Sequence, residues 1–207
     1  MSVATAIGAI IVGYLIGSSP TAEWLGRLAG VDIRGDGSMN PGTANALRLG
    51  GPRLGAAVLA IEMAKGAVAV ITGAALAGDL GAVLAGVGAT TGNVFNMYYH
   101  FRGGKGLGIS AGVLTAVWPT VLAPVVAVIV ITVLITRSAG TAAIVTIVAF
   151  NIMAILWATF EWPMAWGIDE TSLLLVLSLG MGAVLWNRHW SASPFSRRHR
   201  RSLREPA

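Results

Sequence analysis

The sequence predicts an all-α fold: a polytopic membrane helix bundle of about seven transmembrane helices, N-terminus out and C-terminus in. Three observations predict it. Hydrophobic residues make up 55% of the 207 residues and charged residues 11%, with a mean hydropathy of +0.74. Soluble domains carry about 25% charged residues, so this chain has less than half the charge that coats a water-facing surface. Apolar runs recur near the roughly 20 residues that a helical crossing requires. Lys and Arg separate from Asp and Glu in alternation with those runs. The same composition excludes disorder, which combines few apolar residues with many charges.

In chain order the expected spans are 3–25, 55–77, 80–98, 104–118, 120–136, 139–160 and 171–187. The first opens MSVATAIGAI, with no cation before Arg27. It lacks the positive start of a signal peptide and reads as a retained span. The spacings Gly13/Gly17 and Gly88/Gly92 let helices approach closely. The fourth and fifth spans share one apolar run, divided at Trp118-Pro119 because proline breaks the helical ladder; the fourth is short for a full crossing. Residues 1–187 form the membrane unit and 188–207 a basic tail. That tail holds six of the 14 cations, Arg188 through Arg204, placed to sit at lipid headgroups.

Charge sets the orientation, since Lys and Arg collect on cytoplasmic loops. With the N-terminus out, segments 26–54, 99–103, 137–138 and 188–207 are cytoplasmic. They hold Arg27, Arg34, Arg48, Arg53, Arg102, Arg137 and the tail arginines, with Lys105 at a boundary. The external loops hold Asp79, Glu161, Asp169 and Glu170 and no cation. The net charge of +5 is thus a membrane feature, and no nucleic-acid partner is expected. The expected location is the inner (plasma) membrane.

The absence of cysteine removes disulfides, thiolate chemistry and Cys-ligated metals. His100, His189 and His199 show no metal-ligand spacing with a carboxylate, so no metal and no cofactor is expected.

Three polar segments interrupt the apolar pattern, all on or near the cytoplasmic side. Asp32 to Arg48 is rich in Gly, Ser, Asn and Thr. Successive N–H groups in such a turn form an anion-binding concavity, and Ser38, Asn40, Thr43, Asn45 and Arg48 can cluster around a phosphate; a solvated loop is the other reading. Phe101-Arg102-Gly103-Gly104-Lys105-Gly106 adds a lysine among glycines, without the Walker A pattern. Glu62 and Lys65 lie three apart, hence on one helix face. Charges inside a span are paired or functional, which leaves a packing ion pair and a functional pair both open. That pair also raises a small anion transporter, against which stands the lack of symmetric broken spans.

Together these segments resemble the acyl-phosphate:glycerol-3-phosphate acyltransferases of bacterial membranes. Gly17-Ser18-x-Pro20, Asp32-Ile33-Arg34, Gly37-Ser38-x-Asn40-x-Gly42, Asn45 and Arg48 follow that family's order. Glu62-x-x-Lys65-Gly66 follows its Asp-x-x-Lys-Gly, and Gly92-Asn93-x-Phe95 with Phe101-x-Gly103-Gly104-Lys105-Gly106 follows its third block. The resemblance implies seven helices, an external N-terminus, and acyl transfer from acyl-phosphate to the 1-hydroxyl of glycerol-3-phosphate, giving lysophosphatidic acid and phosphate. By matching position, Ser38, Arg48 and His189 would be catalytic. Asn40, Asn45, Gly103, Gly104, Lys105 and Lys65 would bind substrate. The implied partners are the two substrates and membrane lipid; oligomeric state stays open.

The departures are specific. Glu62 replaces Asp, Asn93 and Asn96 replace His and Pro, and Ile109 replaces Thr. In the C-terminal His-Arg-x-Asn block, His189 has Ala192 at the Asn position, while His199 has Ser202 there. A catalytically weakened relative that binds a lipid precursor, or serves as a complex subunit, is the alternative these departures raise.

Overall fold

The computed structural model describes residues 2–190. Those residues form helices and connecting turns, with no strand among them. The helices are α1 (Val3–Ser18), α2 (Thr21–Leu28), α3 (Thr43–Val94), α4 (Leu107–Val117), α5 (Leu122–Thr136), α6 (Ala139–Phe160) and α7 (Leu173–Trp190). Segments such as Val125–Ile135, rich in β-branched residues, are helical here. Within hydrocarbon each backbone N–H and C=O must be satisfied internally, and only a helix does that in one segment. Four helical stretches are long and apolar enough to cross a membrane: Val3–Leu28, Thr43–Tyr99, Pro119–Thr136 and Ala139–Phe160. Leu107–Val117 is apolar but shorter.

The structure redraws several sequence boundaries. The run expected over 3–25 divides at Ser19-Pro20, where α1 stops and the amphipathic α2 turns away with Ala22 and Gly26 buried. The runs expected over 55–77 and 80–98 are two arms of α3, joined by a sharp break. Ala77 and Gly78 leave helical geometry there, Gly78 at φ 58°. Beyond it the arms fold back until Gly73 faces Gly81; a methyl group on Gly73 would lie 2.2 Å from the Gly81 carbonyl oxygen. A second break at Gly51, φ 76°, sits before Pro52, which cannot donate to the ladder. Residues 43–50 therefore form a short separate rod. α4 ends at Val117, and Pro119–Val121 makes a 3-10 turn into α5. α7 continues past 187 to Trp190.

The two glycine pairs pack against one another's helix. Methyl groups on Gly13 and Gly17 would meet the carbonyl oxygens of Ala85 and Ala89 at 2.2 and 2.0 Å, and those on Gly88 and Gly92 the oxygens of Ile10 and Tyr14 at 2.4 and 2.1 Å. Lipid tails are as apolar as leucine, so close packing rather than water exclusion draws such helices together. α1 thus runs parallel to the second arm of α3, with Ser18 Oγ donating to Gly92 O at 3.2 Å. The main core lies between α3, α4, α6 and α7 around Trp118, whose ring packs tilted against Phe150 and edge-on to Trp157, with centroids 5.7 and 5.3 Å apart.

Candidate active site

At the end of the bundle where α1 and the second arm of α3 finish, two turns come together. The first, before α3, is shaped by carboxylate and amide side chains. Asp32 Oδ1 accepts the N–H groups of Arg34 and Gly35 at 3.0 and 2.8 Å. From α3, buried Asn45 donates through Nδ2 to Ile33 O and Asp36 O and accepts the Ser38 N–H on Oδ1 at 2.9 Å. Ile33, almost fully buried, plugs the loop into a small core of Ala22, Ala46, Leu54 and Val58.

The second turn lies directly on the end of α3. Asn96 Nδ2 donates to Ser18 O at 2.6 Å, and Asn96 O accepts the Phe101 N–H. Gly103 N–H donates to Val94 O at 3.0 Å and Gly104 N–H to Asn93 O at 2.9 Å. A methyl group on Gly103 would lie 2.0 Å from Asn93 O, and one on Gly104 3.1 Å from Asn93 Oδ1 and 3.4 Å from Pro41 O. The turns touch again where the Arg34 guanidinium sits 3.8 Å over the Tyr99 ring and Nη1 reaches Arg102 O at 3.5 Å.

Between the turns is a cavity of about 370 Å³. Asn40, Pro41, Gly42, Thr43, Ala44 and Leu47 line one wall, and Lys105, Gly106, Leu107 and Gly108 the other; Leu59, Glu62 and Asn93 close it. Two helices begin on this cavity, α3 at Thr43 and α4 at Leu107. The first N–H groups of a helix have no intrahelical partner and carry the positive end of its dipole. Two such ends beside the exposed Lys105 give the cavity wall the donors and positive charge that suit a phosphate-type anion.

Behind the cavity is a buried charge network. Glu62 and Lys65 are 6% and 7% exposed and bond at 3.0 Å. Glu62 Oε1 also accepts from Thr21 Oγ1 at 2.8 Å, and Oε2 accepts from Asn93 Nδ2 at 2.5 Å. Lys65 Nζ reaches Ser19 O at 2.9 Å and Thr21 Oγ1 at 3.4 Å. A pair so far from water needs all of its lone pairs and protons engaged, and this one ties the α1–α2 junction to both arms of α3.

An apolar groove of about 150 Å³ runs between α4, α5, α6 and α7 and shares Leu107 with the cavity wall. His189, 3% exposed, lines it. His189 Nε2 lies 3.2 Å from Lys105 O. A carbonyl only accepts, so this bond puts the proton on Nε2 and leaves Nδ1 as the acceptor of the neutral ring. Arg188 Nη2 donates to Gly103 O at 3.0 Å. The end of α7 thereby fastens the glycine turn as well.

Of the residues singled out by sequence, Asn40 and Lys105 line the cavity and His189 lines the adjoining groove. Ser38 and Arg48 are exposed and outside the lining. Arg48 follows Ala44 by four residues, on the same face of α3. Asn45 shapes the loop, and Lys65 has its three donors directed to Ser19, Thr21 and Glu62. Gly103 and Gly104 spend their N–H groups on α3 carbonyls; the N–H groups left to an anion come just after them, at the start of α4. His199, Ala192, Ser202 and the tail beyond Trp190 lie outside the described residues.

Two contributors escaped the sequence reading: the α4 N-terminus and Asn93. Gly106 before an apolar run was the available signal for the first. The second had a subtler one. Glu62 and Asn93 are both departures from the family pattern, and they touch each other. The longer Glu reaches the shorter Asn.

A family model described as Glycerol-3-phosphate acyltransferase matches residues 7–194. The chain is 43% identical over 143 residues to the glycerol-3-phosphate acyltransferase of Brucella anthropi, covering 68% of this chain and 70% of the relative. It is 37% identical over 162 residues to that of Chlorobaculum parvum, covering 72% and 70%. Among solved structures it is similar to PlsY (YgiH), an integral membrane glycerol 3-phosphate acyltransferase. The glycerol 3-phosphate form superposes with a TM-score of 0.71 at 26% identity, over 90% of this chain and 88% of that one. The lysophosphatidic acid form gives 0.72 at 25% identity, over 97% and 94%.

Proposed function

This chain belongs to the glycerol-3-phosphate acyltransferase family, and from that premise we propose that it moves an acyl group from acyl-phosphate to the 1-hydroxyl of glycerol-3-phosphate. It is a membrane glycerol-3-phosphate acyltransferase; the donor, the attacked hydroxyl and the residue roles are our reading. The observation that carries it is the junction at Leu107: a cavity at two helix N-termini and Lys105 opens beside an apolar groove. A substrate with a phosphate head and a hydrocarbon tail matches that pairing.

The acyl-phosphate is a mixed anhydride, already activated, so no acyl-enzyme is needed. The glycerol oxygen bonds to the carbonyl carbon. The carbon–oxygen bond to phosphate breaks, and phosphate leaves with the electron pair. The hydroxyl proton ends on the departing phosphate. The protein's tasks are to bind two phosphates, orient one hydroxyl and stabilise developing negative charge. Lys105 and the start of α4 hold the donor phosphate. Arg48 and Ser38, beside the opposite wall, take the glycerol phosphate. Asn40 Oδ1, buried and without a partner, accepts from a glycerol hydroxyl. His189 Nδ1 assists the attacking oxygen. Gly103, Gly104 and Asn45 keep the two walls in place, with Lys65 behind them.

In this reading the chain crosses the inner membrane seven times, N-terminus out, with the two arms of α3 as separate crossings and the cavity on the cytoplasmic side. The membrane unit ends near 187 and the basic tail follows. The test is direct: the full chain, purified in detergent, is given palmitoyl-phosphate and glycerol-3-phosphate. Lysophosphatidic acid and phosphate are expected in equal amounts. Product from palmitoyl-coenzyme A, with none from the acyl-phosphate, would overturn the donor assignment.

A further inference from the structure

The apolar groove contains two polar atoms that its chemistry does not explain. In an apolar helix a serine or threonine hydroxyl normally bends back to the carbonyl four residues earlier. Thr72, Thr90, Thr91, Thr115, Thr136 and Thr159 all do so. Ser110 and Thr146 do not. They are 6% and 7% exposed, line the groove from α4 and α6, and their hydroxyl oxygens are buried with no partner. A buried hydroxyl left unpaired costs about 1–3 kcal/mol. A plain hydrocarbon chain entering the groove would leave both unpaired.

Their depth narrows what can satisfy them. Ser110 lies one turn of α4 beyond Leu107, the residue shared with the phosphate cavity, a rise of about 4.5 Å. Thr146 is adjacent in sequence to Ile147, which packs with Val94 and Leu185. Leu185 in turn sits against Gly106, at the mouth of the groove. A ligand whose phosphate rests at the start of α4 brings its first carbon atoms to this level.

We infer that Ser110 and Thr146 form a carbonyl-recognition subsite, donating hydrogen bonds to the acyl oxygen of the bound donor and so distinguishing acyl-phosphates from alkyl phosphates. The inference rests on the acyl-phosphate reading of the site. Because the hydroxyls are desolvated in either case, they favour the acyl ligand and penalise the alkyl one.

The experiment compares palmitoyl-phosphate with hexadecyl phosphate, which has a similar chain but no carbonyl, using the full chain in detergent. In the Ser110→Ala/Thr146→Val double variant, KM for palmitoyl-phosphate is expected to rise about 10-fold. The Ki of hexadecyl phosphate should stay level or fall. Thr146→Ser, which keeps the oxygen, is expected to hold the wild-type ratio of the two constants. A double variant that also keeps that ratio, whether or not both constants move together, overturns the subsite. A wild-type chain that makes no lysophosphatidic acid from palmitoyl-phosphate would instead remove the functional reading beneath it.

Discussion

At the end of the bundle where α4 begins, the loops are rich in glycine and cations, and the Asp32 carboxylate closes only the Arg34 and Gly35 N–H groups of its own turn. The hydrogen bonds of these loops leave two helix N-termini open to one cavity. At the end where α3 reverses, the loops are built from carboxylates and tryptophans, and the side chains close the backbone. There Asp79 Oδ2 accepts the N–H groups of Asp169 and Glu170 at 2.8 and 3.0 Å. Trp166 Nε1 donates to Thr115 O at 2.8 Å, and Ile168 N–H to Val117 O at 3.2 Å. A carboxylate placed on loop N–H groups satisfies them; at α3 and α4 no acidic side chain occupies the first turn. One end is therefore closed by its own side chains, while the other keeps two helix N-termini facing a cavity.

Breaking that contrast starts with Glu62→Ala. Removing one partner of a buried ion pair costs about 3–5 kcal/mol. Thermal unfolding in detergent should drop sharply and activity should vanish; an unfolding temperature near that of wild type would mean that the network is not what joins α2 to α3. Next comes Lys105→Ala, expected to lower kcat/KM about 100-fold, or about 2.7 kcal/mol of transition-state stabilisation, with stability unchanged because the side chain is exposed. Full turnover in that variant would move the donor phosphate elsewhere. For Gly104→Ala the added methyl group meets Asn93 Oδ1 at 3.1 Å, so the turn shifts by a few tenths of an ångström. About 10-fold slower turnover is expected, since small misplacements are costly in oriented reactions; a larger loss of stability than of rate would refute that account. The smallest effect belongs to the opposite end. Asp79→Ala forfeits two hydrogen bonds, about 1–2 kcal/mol of stability, and should leave the rate within about two-fold of wild type. A strong rate defect there would show that the two ends are coupled.

Much of the architecture was visible in composition and spacing. The apolar runs locate the helices, and the glycine pairs at 13/17 and 88/92 locate a close contact between α1 and α3. Each is a local property: hydropathy summed over a span, or a missing side chain every fourth residue. Boundaries were less legible. Ser19-Pro20 lies inside a run of continuous hydropathy, and only backbone geometry separates α1 from α2, whereas the break at Ala77-Gly78 falls at the junction of the spans expected over 55–77 and 80–98. The candidate site was partly legible: Asn40 and Lys105 line the cavity and His189 the adjoining groove, while Lys65 and Asn45 spend their polar atoms on the protein itself.

Taken alone, the sequence determined that the chain is a membrane helix bundle and that its polar atoms gather in three segments, because burial in lipid tolerates charge only where it is paired or useful. Tertiary structure decided which of those atoms remain free. Asn93 meets Glu62 across 31 residues, and His189 meets Lys105 across 84. Whether a donor or acceptor is engaged depends on partners brought together only when the helices pack, and no local pattern carries that information.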